Sequence, residues 1–256
     1  MEAVPVAIIG AGPGDVELIT VKGRRLLDEA DCIVYAGSLV NRRILDGCKA
    51  DIYDSQGMNL GEIVDTLSTA WQSGKKVVRL HTGDPSIFGA IKEQMQALDT
   101  LGIPYHVVPG VSSAFGAAAS LNAEFTLPEI SQTVIITRQE GRTPVPELEK
   151  LHLLASHQTT MVIFLSVSMI ETVVRELGKG GYPIDTPVVV VEKATWADET
   201  ILVGTLESIA SQVREADIRK TALICVGKVF ADTELEAVSK LYDRSFSHGT
   251  RQASEK

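Results

Sequence analysis

The chain has 256 residues, 45% of them hydrophobic and 22% charged, a globular composition long enough for one large domain or two of ordinary size. Its formal charge is −9, from 24 Lys and Arg against 33 Asp and Glu, with no basic block, which argues against a nucleic-acid surface. The apolar run Met161–Leu165 is too short to cross a bilayer and no basic residue precedes the first apolar stretch, so neither a membrane span nor a secretory signal is expected. The three cysteines, Cys32, Cys48 and Cys225, are unclustered, and the five histidines lack metal-ligand spacing. A cytoplasmic protein without a metal site is expected.

Strand-like runs alternate with amphipathic helices from the start of the chain. Strands are predicted at Val6–Ile9, Cys32–Tyr35, Asp51–Tyr53, Lys76–His81 and Tyr105–Val108. Helices are predicted at Val21–Glu29, Leu60–Gln72, Ile87–Leu101 and Ser112–Leu121. Asn59 with Glu62 three residues on makes a capping box for the second helix. The alternation argues a mostly parallel sheet covered on both faces. The aperiodic stretch "NAEFTLPEISQT" then reads as a connector, placing a first domain at 1–121, a linker at 122–132 and a second domain at 133–230. In that second half, strands are predicted at Thr133–Thr137, Met161–Leu165, Pro187–Glu192, Ile201–Gly204 and Ala222–Val226. Helices are predicted at Pro146–Ala155, Met169–Leu177 and Leu206–Val213. Only "KATWADET" joins Pro187–Glu192 to Ile201–Gly204, too little for a crossover helix, so a hairpin is expected there and the second sheet should be mixed. Residues 231–256 read as a flexible polar tail.

The turn "GAGPGD", Gly10–Asp15, follows the first strand where a dinucleotide-binding protein keeps its pyrophosphate loop. The third glycine of that fingerprint is missing, because Asp15 stands in its place and would set a carboxylate against two phosphates. Pro13 removes a backbone donor from the same loop, and Ala36–Ser38 after the second strand supply no acidic residue for a ribose. A dinucleotide is disfavoured. Three more punctuated loops follow strand ends: "YAGSLV", "HTGDPSIFGA" and "VVPGVSSAFGAA". Ligands of open α/β sheets sit beyond the carboxyl ends of the strands, so these loops and GAGPGD are expected to face one crevice. In the second of them Asp84 can cap a helix that opens at Pro85.

GAGPGD (Gly10–Asp15), HTGDPSIFG (His81–Gly89) and PGVSS (Pro109–Ser113), in this order, resemble the tetrapyrrole methylase family. YAGSLV (Tyr35–Val40), TRQEGRTPVPE (Thr137–Glu147) and KATWADE (Lys193–Glu199) resemble the branch that methylates precorrin-4 at C11 to give precorrin-5 in cobalamin biosynthesis. The likeness runs over about residues 5–230. It implies two α/β domains with mixed, largely parallel sheets, cofactor and tetrapyrrole in the inter-domain cleft, a homodimer, and S-adenosylmethionine as methyl donor with S-adenosylhomocysteine as product. By position in the matching motifs, Pro13, Gly83, Asp84, Ile87, Ser112, Ser113, Leu165, Ser166, Ala194 and Ala222 would line the cofactor. Arg138, Arg142, Lys193 and Ser38 would meet the anionic substrate, Arg138 and Arg142 because guanidinium matches carboxylate. Relatives acting on uroporphyrinogen carry an acidic residue in the loop matched by YAGSLV. Here Ala36, Gly37 and Ser38 replace it, so no general base transfers. A sibling methylase acting on cobalt-precorrin-4 or another carbon, an NAD-dependent oxidoreductase and a non-catalytic tetrapyrrole-binding protein are the alternatives.

Overall fold

A computed structural model of the chain describes residues 4–231, 239, 245–247 and 249–253. The tail expected at 231–256 therefore lies largely outside the described residues. The chain divides into two compact units: the first runs to Ala117 and includes Lys193–Glu199, and the second comprises Ala118–Glu192 with the residues from Thr200 onward. This division departs from the sequence reading in two respects. The break falls inside a helix rather than in the 122–132 stretch, and the KATWADE segment belongs with the first unit.

In the first unit β1 (Val6–Gly10), β2 (Cys32–Tyr35), β3 (Asp51–Asp54), β4 (Val77–His81) and β5 (Tyr105–Val108) form a parallel sheet ordered β3-β2-β4-β1-β5. Strand pleating sends alternate side chains to opposite faces. Ala7, Ile9, Ile33, Val78 and Leu80 pack with Leu27 of α1 (Val21–Asp28) on one face. Val6, Cys32, Val34 and Val77 pack on the other with Ile63 and Leu67 of α2 (Leu60–Gln72) and Leu98 of α3 (Ile91–Thr100). Both faces are buried, so the central strands read as unbroken apolar runs, and each fully buried Leu or Ile contributes about 1.5–3 kcal/mol. α4 (Ser113–Ser120) follows β5.

The expected helix at Ile87–Leu101 is shortened at its start. Phe88 and Ala90 take left-handed backbone, with φ of 53° and 47°, so helical hydrogen bonding begins only at Ile91 and Asp84 caps the preceding turn instead of α3.

The second unit holds β6 (Val134–Arg138), β7 (Thr160–Phe164), β8 (Pro187–Glu192), β9 (Thr200–Thr205) and β10 (Ala222–Val226), ordered β6-β7-β10-β8-β9. Only β6 and β7 run parallel; the other three pairings are antiparallel, including the expected β8–β9 hairpin. The fold as a whole is two α/β units, the first sheet parallel throughout and the second mixed, so that parallel pairings outnumber antiparallel ones across the two. Leu151 and Ala155 of α5 (Leu151–Ala155), Ile170, Val173 and Leu177 of α6 (Ile170–Lys179) and Ile209 and Val213 of α7 (Ile209–Glu215) close its core over Met161, Ile163, Val188, Val190 and Ile224. The stretch taken as a connector is anchored. Phe125 is buried edge-on to Phe230 at 6.0 Å, its carbonyl accepts from Thr160 Oγ1 at 2.8 Å, and Leu127 bridges Ser131. Thr160 and Phe230 are distant in sequence from Phe125, so no local pattern reports them.

The capping box of α2 forms as read: Glu62 N donates to Asn59 Oδ1 at 3.1 Å and Asn59 N to Glu62 Oε2 at 2.7 Å. Asn59→Ala is expected to lower stability to urea by about 1 kcal/mol, and an unchanged unfolding midpoint would show that the cap contributes nothing.

Candidate active site

The loops after β1, β4 and β5 meet backbone to backbone. A Cβ on Gly10 would stand 2.5 Å from the Gly83 carbonyl oxygen and 2.6 Å from Gly110 Cα, so three strands can end this close only if the contact carries no side chains. Gly12 and Gly83 then exchange hydrogen bonds, Gly83 N to Gly12 O at 2.8 Å and Gly12 N to Gly83 O at 3.3 Å, and Ala11 N donates to His81 O at 2.7 Å. Gly12 and Gly83 both need positive φ, 83° and 57°. The result is a fixed rim of main chain along the carboxyl edge of the sheet.

Asp84 locks that rim. Its Oδ2 accepts from Gly110 N at 2.9 Å and its Oδ1 from Ser86 N at 2.9 Å and from Ser86 Oγ. These bonds hold the carboxyl below its ordinary range against partial desolvation. Its two oxygens therefore join the HTGDP and PGVSS loops. Ile87 lies in the turn that follows, its N–H on Asp84 O at 3.3 Å. Ser112 is buried with Oγ accepting from Ala114 N at the start of α4, and Gly83 lies against Ser112 and Ser113.

KATWADE folds onto the GAGPGD turn. Trp196 Nε1 donates to Pro13 O at 3.0 Å, Asp15 N donates to Thr195 Oγ1 at 3.0 Å, and the indole occupies the space that a Cβ on Gly14 would need. Asn41 Nδ2 takes Gly14 O at 2.9 Å. Asp15 spends its carboxylate on Glu17 N at 3.0 Å, capping the short 3-10 turn Val16–Leu18. A pyrophosphate would have to displace that cap and face its charge, so the donor set does not fit a dinucleotide. A ligand carrying positive charge suits it, because the groups on this edge are main-chain amides, hydroxyls and carboxylate. Pro13, Gly83, Asp84, Ile87, Ser112, Ser113 and Ala194 thus all lie in the first unit, Ala194 by way of the KATWADE segment.

The other sequence candidates separate. In the second unit Leu165 is 65% exposed with φ 54°, whereas Ser166 is wholly buried, its Oγ donating to Phe164 O and accepting from Gln139 N at 2.8 Å. Ala222 packs in the core of that unit. Arg138 spends its guanidinium on the carbonyls of Gln139, Thr143 and Pro144, at 3.4, 3.2 and 2.7 Å; it shapes the loop that carries the exposed Arg142. Lys193 pairs with Asp198. Ser38 is exposed on the loop after β2, beside Gly37, whose N–H donates to Asp54 Oδ1 at 3.1 Å. Among the described residues no group of three or more His, Cys, Asp or Glu side chains is placed to hold a metal, and no helix is long and apolar enough to cross a membrane.

Sequence reasoning missed Arg79 and took His81 as the first residue of the HTGDPSIFG motif. Both are buried, at 4% and 6% exposure, on the face of β4 that carries Val77. Burial, reinforced by the charge of Arg79, pushes the His81 imidazole down to about 3. A charged residue inside an otherwise apolar strand, "VVRLH", was the available signal.

A model of the Tetrapyrrole (Corrin/Porphyrin) Methylases matches residues 5–210, and the chain belongs to that family of methyltransferases. It is 59% identical to the cobalt-precorrin-4 C(11)-methyltransferase of Methanocaldococcus jannaschii, over 98% of this chain and 97% of that one. It is 46% identical to the precorrin-4 C(11)-methyltransferase of Pseudomonas aeruginosa, over 95% and 97%. The crystal structure of the cobalamin biosynthetic enzyme CbiF, a cobalt precorrin-4 methyltransferase, superposes with a TM-score of 0.87 at 48% identity, over 89% of this chain and 96% of that one. Uroporphyrin-III C-methyltransferase from Thermus thermophilus, complexed with S-adenosylhomocysteine, superposes at 0.75 with 30% identity, over 88% and 98%.

Two measurements check this geometry. Asp84→Asn keeps one acceptor oxygen but turns an N–H₂ toward a main-chain N–H, so it is expected to cost about 1 kcal/mol; an unaltered melting temperature would mean that the bond to Gly110 does not hold the rim. His81 folds neutral and unfolds with an ordinary pKa near 6.5, so the unfolded chain binds the extra proton. Its contribution is complete above pH 6.5 and is lost as pH falls toward about 3, by up to about 1.4 kcal/mol per pH unit. His81→Asn should flatten stability between pH 6.5 and 4.5, relative to His106→Asn, which removes the half-buried imidazole whose pKa is also lowered. Parallel slopes for both variants and the wild type would refute the assignment.

Proposed function

We propose that this protein transfers a methyl group from S-adenosylmethionine to C11 of precorrin-4, with or without cobalt, in cobalamin biosynthesis. The observation that carries the reading is the main-chain rim of Gly10, Gly83 and Gly110 locked by Asp84, in a chain 59% identical to a cobalt-precorrin-4 C(11)-methyltransferase. Pro13, Gly83, Asp84, Ile87, Ser112, Ser113 and Ala194 hold the cofactor in this reading, and Leu165 and Ser166 of the second unit are further candidates for it. Ala222, packed in a core, is the weakest of the set. When bound, S-adenosylmethionine supplies an activated methyl on a sulfonium. The protein's own work is then to orient and to exclude water, and positioning of this kind can supply roughly 7–11 kcal/mol. Asp84, fully hydrogen-bonded and ionised, contributes a fixed negative charge beside the rim without having to reorganise.

The Ala36–Ser38 stretch carries no carboxylate in place of the acidic residue of its uroporphyrinogen-methylating relatives, so no general base is assigned to it and Ser38 serves as a substrate contact. The substrate is a polyanion and the chain carries −9, which calls for local cations that outweigh the long-range field. Arg142 serves this role, held out by the loop that Arg138 staples; Lys193, already paired with Asp198, serves it less directly. The protein works as a homodimer in a cytoplasmic setting.

Incubation with methyl-labelled S-adenosylmethionine and precorrin-4 or cobalt-precorrin-4 is expected to give product labelled at C11 by carbon NMR. S-adenosylhomocysteine at a hundredfold excess over its Kd should stabilise the fold by about 2.7 kcal/mol, while NADH should not shift the melting temperature. Label at another ring carbon would overturn the substrate position, and an equal shift with NADH the cofactor.

A further inference from the structure

Arg79 sits in mid-strand on β4, 4% exposed. Among the described residues no carboxylate lies within 4.0 Å of its guanidinium, and burial lowers its pKa to about 10, so it remains a cation at neutral pH. A buried charge without a counter-ion is costly, and an apolar side chain of similar volume would fill the space at no such cost. Stability does not account for this residue.

Its hydrogen bonds do. Nη1 donates to Val34 O and to Ser55 Oγ, both at 3.1 Å, and Nε donates to Gln94 Oε1 at 3.0 Å. Ser55, itself 7% exposed, passes the first arm on: its Oγ and its N–H both donate to Tyr35 O, at 3.0 and 2.9 Å. Tyr35 is the last residue before the loop that carries Ser38. Gln94, 5% exposed, passes on the second arm: its Nε2 donates to Ala90 O at 3.1 Å. The amide orientation is fixed, because a guanidinium only donates and a carbonyl only accepts. Ala90 and Phe88, both left-handed non-glycine residues, close the loop that carries Gly83, Asp84 and Ile87. Such backbone persists only where its surroundings hold it.

We propose that Arg79 is a positioning residue that sets two ligand loops at once, the Ala36–Val40 loop through Ser55 and the Thr82–Ala90 loop through Gln94. The planar fork fixes the angle between the two arms, which a lysine ammonium cannot do. The proposal rests on the functional reading above for which ligand each loop meets: the tetrapyrrole at the first, the cofactor at the second. One buried cation then keeps the two loops in register.

The test separates the arms by kinetics, by calorimetric titration with S-adenosylhomocysteine and by melting curves. Ser55→Ala should raise KM for precorrin-4 about tenfold and leave the S-adenosylhomocysteine Kd within about twofold; Gln94→Leu should weaken S-adenosylhomocysteine about tenfold with a smaller effect on precorrin-4. Arg79→Met should do both while melting close to the wild type, and Arg79→Lys should not restore either constant. A lysine variant with wild-type constants would show that charge and not the fork matters, and would overturn the proposal. So would equal losses of both constants in the two single-arm variants, or no change in either. A wild-type protein that binds S-adenosylhomocysteine yet methylates no tetrapyrrole would sink the functional reading instead, and the Gln94→Leu titration would then decide the proposal by itself.

Discussion

Gly10, Gly83 and Gly110 touch through bare backbone, and the shape of the carboxyl edge of the first sheet follows from that contact. Parallel neighbouring strands normally diverge into loops whose side chains keep them apart. Here β1 ends in Gly10, and the chain leaving β4 and β5 passes through Gly83 and Gly110 two residues beyond the strand ends, so these segments close on one another. The edge of the sheet becomes a rim of main-chain groups held at fixed angles. Asp84 completes it by spanning from the Thr82–Ala90 loop to Gly110 N. The carboxylate that reads as a helix cap in sequence is a tie between two strand ends.

The same economy recurs around the rim. Asp15 is consumed as a local cap, Asp54 as an acceptor for Gly37 and Gln56, and Arg138 as a staple of its own loop. Charged side chains that a motif would assign to ligands are in several cases spent on shaping the backbone that presents other groups. What the fold leaves exposed is main chain, hydroxyls and side chains such as Ser38, Leu165 and Arg142, on which the proposed reading places recognition. Such an arrangement suits methyl transfer from an activated donor, where position supplies the acceleration and no protein nucleophile is required.

The buried polar pair of β4 belongs to the same design. A sheet covered on both faces has little tolerance for charge, yet Arg79 and His81 lie side by side on one face. They are accommodated because the guanidinium finds three acceptors and the imidazole stays neutral beside it. Hydrogen-bonded polar groups in a low-dielectric interior are held rigidly, and the arms of the guanidinium end at the loops after β2 and β4, on Tyr35 O by way of Ser55 and on Ala90 O by way of Gln94.

Much was legible from residues alone. Short strand-like runs placed all ten strands within about one residue of their ends; for central strands such as β1, β2, β4 and β10 the reason is burial on both faces, which makes the strand an apolar run whatever its neighbours. The Asn59 cap and the β8–β9 hairpin followed from spacing within a few residues, and the missing third glycine at Asp15 ruled against a pyrophosphate by local chemistry. Where partners come from distant segments, the sequence was silent. Local periodicity ran α3 back to Ile87, since the left-handed turns at Phe88 and Ala90 are held by Gln94 and the loop's own packing. It left Phe125–Ser131 as a linker, because the Thr160 hydroxyl and the Phe230 ring that anchor it lie far along the chain. It assigned KATWADE to the second domain, since the packing of Trp196 on Gly14, its bond to Pro13 O and the bond from Asp15 N to Thr195 Oγ1 all join segments far apart in sequence. Sequence by itself determined which segments bury and which motifs line an edge. Tertiary structure alone decided which of the charged residues there remain for a ligand, because a carboxylate or guanidinium is available only after its contacts within the fold are satisfied.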